Sequence, residues 1–321
     1  MNTIHRDALT LPLLQTVACE CALPVAADLH ILVEVLRSRF GDALEAMLFY
    51  GSCLRDGELS ERLVDLYVVV DDYASLRSGG AAKLLHKWLP PMVFQLKTQT
   101  PDGRTLRAKC AVISLEDFEA GTSVWFQSYL WGRFSQPSRL VYYRNETIRD
   151  RVHVALCNAV IRMMSETVAA QERAFDSSTF WEQALSMTYG TELRPERANR
   201  PAEIVMHNAD YYARVTQAAA YSIPALSPCG DPSGTFINDT RHSQRRTNLL
   251  RWKIRRLQGR TLNVLRLIKS FFTFEDGVGY VIWKLERHLG EPIHVTTRLR
   301  RYPLIFCWPL LWRLLKDRRL R

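Results

Sequence analysis

The sequence predicts an α/β (α+β) domain with a mixed sheet, followed by a mainly helical domain and a basic amphipathic C-terminal segment. Three observations predict it. Up to about Tyr143, short runs dense in Val, Leu and Ile alternate with stretches of helical period. From Thr147 to Arg173 and from Thr179 to Met187, apolar residues recur at helical spacing alone. Positive charge then collects at the end. The net charge is +10, yet the chain from Arg241 onward holds 20 Lys and Arg against 5 acidic residues, which leaves the first 240 residues acidic overall. The implied division is 1–145, 146–246 and 247–321.

In order along the chain, Leu29 to Phe40 reads as an amphipathic helix ended by Gly41-Asp42. Ala46 to Tyr50 reads as a buried strand leading into Gly51-Ser52. Leu63 to Val70 is a second strand, apolar enough to be central. Ala82 to Trp88 has helical character and stops at Pro90-Pro91. Met92 to Thr98 and Thr105 to Ser114 flank Pro101-Asp102-Gly103, a turn signal that predicts an antiparallel hairpin. Ser114, with Asp117 three residues on, fits the N-cap of the next helix. Ser222 to Arg246, rich in Pro and Gly, reads as a linker. Leu249 to Ser270 is a basic helical segment, followed by Gly279 to Leu289.

At 321 residues, 47% hydrophobic and 24% charged, the chain is a folded protein of one large or two ordinary domains. No apolar run approaches the roughly 18 to 20 residues needed to cross a bilayer, and the first residues do not read as a secretion signal. Seven scattered cysteines show no zinc spacing and suit a reducing, cytoplasmic compartment. The basic C-terminal quarter implies an anionic partner. Aliphatic residues outnumber base-reading groups there, so no nucleic acid is expected.

The most informative stretch is Phe49-Tyr50-Gly51-Ser52, followed after eleven residues by Val64-Asp65 and a β-branched strand ending in Asp71-Asp72. A glycine lets backbone approach phosphate, and the Ser adds a hydroxyl and an N–H. A carboxylate at a strand mouth can hold the Mg²⁺ that accompanies a triphosphate. The layout resembles that of polymerase-β-like nucleotidyltransferases, with Tyr67 where their second Asp stands. On a continuous strand Asp65, Tyr67, Val69 and Asp71 share one face, with Asp65 and Asp71 about 20 Å apart. One Mg²⁺ cannot reach both. Either the strand bends, or a second ligand comes from Asp56, Glu58 or Glu61, and Asp71-Asp72 is otherwise a strand-end turn and cap. Lys109, inside an apolar strand, needs solvent or an anion such as triphosphate. Arg194, after Tyr189-Gly190, can fork onto phosphate or cap the preceding helix. Arg300, Arg301 and Arg313 bracket a segment with Trp308 and Trp312, which suits a membrane interface or a docked helix.

Together these residues resemble the mitochondrial-type phosphatidate cytidylyltransferases, the translocator-maintenance type of CDP-diacylglycerol synthase. The resemblance runs through Tyr50-Gly51-Ser52, the Asp65 strand with Asp71-Asp72, Lys109 with Val112-Ile113-Ser114, Gly132-Arg133 with Pro137, Tyr189 to Arg194, and Leu265 to Trp283. It implies transfer of CMP from CTP to phosphatidic acid with Mg²⁺ as cofactor, at an anionic membrane surface. The membrane would be a bacterial inner membrane at its cytoplasmic face, or a mitochondrial inner membrane on the matrix side. In that reading Asp65 and Lys109 serve catalysis. Tyr50, Gly51, Ser52 and Arg194 hold the nucleotide, and Asp65, with Asp71 and Asp72 as further candidates, holds the metal. The alternatives are a nucleotidyltransferase with another acceptor (a small molecule, protein or RNA) and a catalytically inactive membrane adaptor.

Overall fold

The computed structural model describes residues 10–56, 59, 62–75, 88–192, 199–229 and 234–273. Arg194, the segments around 82–87 and 279–289, Glu58, Glu61, Arg300, Arg301, Trp308, Trp312 and Arg313 lie outside the described residues, as does the side chain of Asp56.

A five-stranded mixed sheet organises the first half. Its strands are β1 (Leu44–Tyr50), β2 (Leu63–Val70), β3 (Met92–Gln99), β4 (Thr105–Ser114) and β5 (Arg139–Tyr143), in the order β3-β4-β2-β1-β5. β2 and β4 run parallel, and every other neighbouring pair is antiparallel. The predicted hairpin at Pro101-Asp102-Gly103 forms, with Gly103 at a φ of +83° and its N–H bonded to Thr100 O. Both faces of the sheet are covered, which is why β2 reads as a nearly unbroken apolar run. Met47, Phe49, Leu66, Val68, Cys110 and Val112 pack against Leu29, Leu32 and Leu36 of the helix Leu29–Phe40. Alternating with them, Leu48, Tyr50, Tyr67, Val69, Ala111 and Ile113 face the other way, into the core shared with the remaining helices.

That second layer begins with α1 (Leu11–Cys21), which precedes α2 (Leu29–Phe40) in the chain. The helical-period reading did not pick out α1, although Thr10 caps it and Pro12 opens it. After β1 comes the short α3 (Ser52–Asp56), and α4 (Leu115–Ser123) follows β4 directly. The hydroxyl of Ser114 accepts from the N–H of Asp117 at 3.2 Å, as the sequence predicts. α5 (Trp131–Phe134) and α6 (Glu146–Thr167) lie behind the sheet, and α7 (Ser177–Tyr189), α8 (Arg200–His207) and α9 (Ala209–Ala220) complete the layer. Sheet and helices share one hydrophobic cluster.

The described residues of the expected linker at Ser222 to Arg246, 222–229 and 234–246, are ordered structure instead. Within it β7 (Leu226–Pro228) and β8 (Phe236–Asn238) join β6 (Ala174–Phe175) in a small sheet. The buried amide of Asn238 donates to the carbonyls of Val168 and Gln171 at 2.8 and 3.1 Å, fixing the segment to the end of α6. Pro228 is the last residue of β7, an edge strand of that sheet, and not part of a loose tether.

The last described element, α10 (His242–Thr273), is held by a buried ionic seam. Arg255 is fully buried, with Nη2 2.9 Å from Glu166 Oε2 and Nε donating to Phe126 O at 2.7 Å. Glu166 also pairs with Arg162 and Arg251, each at 2.9 Å. Farther along, Arg266 donates to Pro90 O and Gln127 Oε1, and Lys269 to Leu89 O, each at 2.9 Å. Burial, then Arg266, pushes the Lys269 ammonium down to about 7. Among the described residues no helix is long and apolar enough to cross a membrane.

Candidate functional site

Tyr50, Asp65 and Lys109 form a row across the sheet, because Tyr50 pairs with Asp65 and Asp65 with Lys109 in register. The row sits at the end of the sheet where the chain leaves β1 for Gly51-Ser52. Lys109 Nζ lies 3.7 Å from Asp65 Oδ1, and both side chains are about a quarter exposed (23% and 25%). The lysine that the sequence left between solvent and an anion thus stands beside a carboxylate.

Gly51 is required here. Its φ is +92°, and a Cβ on it would fall 2.8 Å from Asp65 Oδ2. Only a bare α-carbon lets the turn close over the carboxylate. Just beyond, the Sγ of Cys53 in α3 donates to Leu63 O at 3.4 Å and holds α3 to the mouth of β2.

A cleft of about 220 Å³ opens at this point. Tyr50, Gly51, Ser52 and Asp65 line one side, and Gly132, Arg133, Gln136, Pro137, Tyr189, Glu192 and Arg200 are among the residues lining the other. Segments far apart in sequence meet here because the helical layer packs on the same sheet face that carries Asp65. Gly132 makes the approach close, since a Cβ would fall 2.9 Å from Thr188 Cγ2. The hydroxyls of Ser128 and Thr191 are 2.9 Å apart and join the two loops.

Arg133 is the principal cation of the cleft. Its Nη2 is 3.6 Å from Glu192 Oε1, and its guanidinium lies 5.2 Å from the Tyr50 ring centroid and 5.0 Å from that of Tyr129. Arg266 of α10 covers Tyr129 at 4.2 Å. Burial raises the Tyr129 phenol, but Arg133, Lys109 and Arg266 outweigh it and bring the group down to about 8. The resemblance had marked Arg133 without giving it a role; Tyr129, Gln136 and Arg200 were missed. An Arg inside an apolar stretch (Leu130-Trp131-Gly132-Arg133-Phe134) was the available signal.

Tyr67, in the place of a second Asp, is fully buried with its ring 4.9 Å from Phe134 and 5.6 Å from Tyr50. Burial, then Tyr129, drives its phenol well above the ordinary value. It belongs to the floor beneath the cleft. Asp71 and Asp72 are not brought to Asp65. β2 stays paired with β4 without a break up to Val70 opposite Ser114, the bulge at this end falling in β1 between Leu44 and Ala46, and both aspartates stand exposed past its far end. Asp71 Oδ1 accepts from the N–H of Asp72 at 2.6 Å, and Asp72 Oδ1 from the N–H of Ala74 at 2.7 Å. They cap a turn, and a shared metal with Asp65 is ruled out by strand length.

Among the described residues no three His, Cys, Asp or Glu side chains converge as a metal cage. Mg²⁺ needs no such cage, since one or two carboxylates with substrate phosphates and water suffice. Asp65 fits that role: Lys109 neighbours one oxygen, and Gly51 leaves space at the other that a Cβ would fill. No family model matches this chain and no curated protein matches it, so its function is argued from the chemistry of the cleft.

Proposed function

We propose that this protein transfers CMP from CTP to phosphatidic acid, releasing pyrophosphate and forming CDP-diacylglycerol. One observation carries the reading. Four segments that resemble that enzyme family, Tyr50-Gly51-Ser52, Asp65, Gly132-Arg133 with Pro137, and Tyr189 to Glu192, converge on a single cleft although they span more than a hundred residues of sequence.

The chemistry suits this lining. The nucleophile, a phosphate monoester, is already anionic at neutral pH, so the site needs no strong base. It needs two anions brought together and their charge neutralised. Gly51 allows the backbone to approach phosphate, and Ser52 offers a hydroxyl beside it. Arg133 presents a planar guanidinium suited to a phosphate, already oriented by Glu192 and two tyrosine rings. Lys109 steadies Asp65 and adds positive charge at the sheet end. Asp65 would hold Mg²⁺, which when bound neutralises triphosphate oxygens.

The test is direct. Purified full-length protein is incubated with CTP, Mg²⁺ and phosphatidic acid in detergent. CDP-diacylglycerol and pyrophosphate should appear in equal amounts, and Asp65→Asn should abolish them while leaving the fold intact. Protein that binds CTP yet forms no CDP-diacylglycerol would sink the reading. Turnover retained by Asp65→Asn would show the metal assignment to be wrong.

A further inference from the structure

We propose that the outer face of α10 is a docking surface for an anionic lipid bilayer. The helix turns Trp252, Arg255 and Lys269 inward to the body. Opposite them, Leu250, Ile254, Leu257, Val264 and Leu265 stand 40% to 71% exposed. At 100° per residue they fall within an arc of roughly 100°, and from Leu250 to Leu265 the stripe runs about 22 Å. Isolated exposed leucines are ordinary, but an apolar stripe along one helix, interrupted here only by Thr261, marks an interaction surface.

The charge beside the stripe selects the partner. Arg246, Lys253, Arg256 and Arg260 are exposed along its edge, and no Asp or Glu occurs anywhere from His242 to Thr273. A helix with an aliphatic face and a wholly cationic flank suits the plane of an anionic interface. There its leucines enter the acyl boundary and its long basic stems reach up to headgroups. A second copy of the chain is disfavoured. The spacing Leu250, Ile254, Leu257, Thr261, Val264 would make a coiled-coil seam, but Arg251, Lys253 and Arg260 flank it, and two such helices would set cation against cation. Nucleic acid is disfavoured because the stripe offers methyl groups where base or phosphate contacts need donors.

The inner face gives the docking a consequence. Gly259 packs so closely on the turn that follows α7 that a Cβ would fall 2.5 Å from Thr191 O, and Arg266 covers Tyr129. The helix that meets the bilayer therefore also braces the loops around the cleft. Its use in bringing a lipid acceptor to that cleft rests on the cytidylyl-transfer reading; the docking itself does not.

The experiment is vesicle flotation of the full chain without nucleotide. The vesicles are phosphatidylcholine alone, or one part phosphatidylglycerol to two parts phosphatidylcholine. The wild type should float with the anionic vesicles only, and less so in high salt. Ile254→Glu with Leu257→Glu should remove flotation. Lys253→Gln with Arg260→Gln, which keeps the apolar stripe, should lower the partition constant roughly 30-fold, at about 1 kcal/mol per basic residue. All four positions are exposed, and circular dichroism checks that the fold is kept. If the Glu pair fails to fold, the Gln pair decides. The proposal is overturned if the wild type does not float. It is also overturned if both variants float like the wild type, which would assign membrane contact elsewhere, such as residues 298–313. Unchanged flotation with a loss of self-association would overturn it in favour of a second copy. Flotation without CMP transfer would count against the proposed function alone, and transfer without flotation against the docking alone.

Discussion

Gly51, beside the Asp65 carboxylate, and Tyr129, beside Arg133, have properties that depend on backbone and charge rather than on hydrophobic burial. Gly51 holds a φ of +92° with Asp65 Oδ2 where a Cβ would stand. Gly51→Ala must strain the turn or push the carboxylate aside. We expect a stability loss of about 1–3 kcal/mol by urea denaturation and a fall in CMP transfer on the order of 100-fold. An alanine variant with unchanged turnover would show that Asp65 need not sit where it does. Tyr129 reports the local charge. Its phenol, lowered to about 8 against the opposition of burial, ionises in the fold before it would in the unfolded chain, whose phenol titrates near 10. The stabilisation this supplies is complete above about pH 10 and is lost as pH falls through about 8. Ultraviolet absorbance should show one phenolate appearing with a midpoint of about 8 and missing from Tyr129→Phe. Onset only near 10 in the wild type would mean that Arg133, Lys109 and Arg266 do not converge on this ring in solution.

Among the elements, α10 depends most on a single side chain. Glu166 receives Arg162, Arg251 and Arg255, and both Glu166 and Arg255 are buried. Removing the one anion leaves a buried guanidinium uncompensated. Glu166→Gln should therefore cost on the order of 3–5 kcal/mol in denaturant unfolding, whereas Arg251→Gln, at the exposed edge, should cost about 1 kcal/mol or less. Equal losses would place the stability of the seam elsewhere. The helix itself was legible in the sequence, because Leu249 to Ser270 has the right period. Its orientation was not, since the inward face carries Arg255 and Lys269 while leucines face out, the reverse of what hydrophobicity alone predicts. β1 to β4 were read almost to the residue, because runs of Val and Leu between turn signals admit little else, whereas the edge strand β5 (Arg139–Tyr143) was not read as a strand. The supposed linker was misread because three-residue strands have no period, and tertiary hydrogen bonds from Asn238 define them.

For the whole molecule, the cleft joins the sheet to the helical layer, and neither supplies it alone. Asp65 and Gly51 were visible in sequence because their chemistry is local to one strand and one turn. Tyr129, Gln136 and Arg200 were not, because only packing on the shared core brings them near. A ligand held on both sides of such a cleft stabilises the entire body, since it binds the folded chain and not the unfolded one. With CTP at roughly 100 times its dissociation constant the gain is about 2.7 kcal/mol, which for a chain of this length raises Tm by about 4 °C. Arg133 lines the helical side and Ser52 the sheet side. Arg133→Met and Ser52→Ala should each reduce the CTP-induced shift in a thermal melt, and Arg133→Met more, because it removes a charge-assisted contact. Asp71→Asn should leave the shift untouched, since that carboxylate serves a turn at the far end of β2. A shift abolished by Asp71→Asn but preserved in Arg133→Met would place the nucleotide at the opposite end of the sheet.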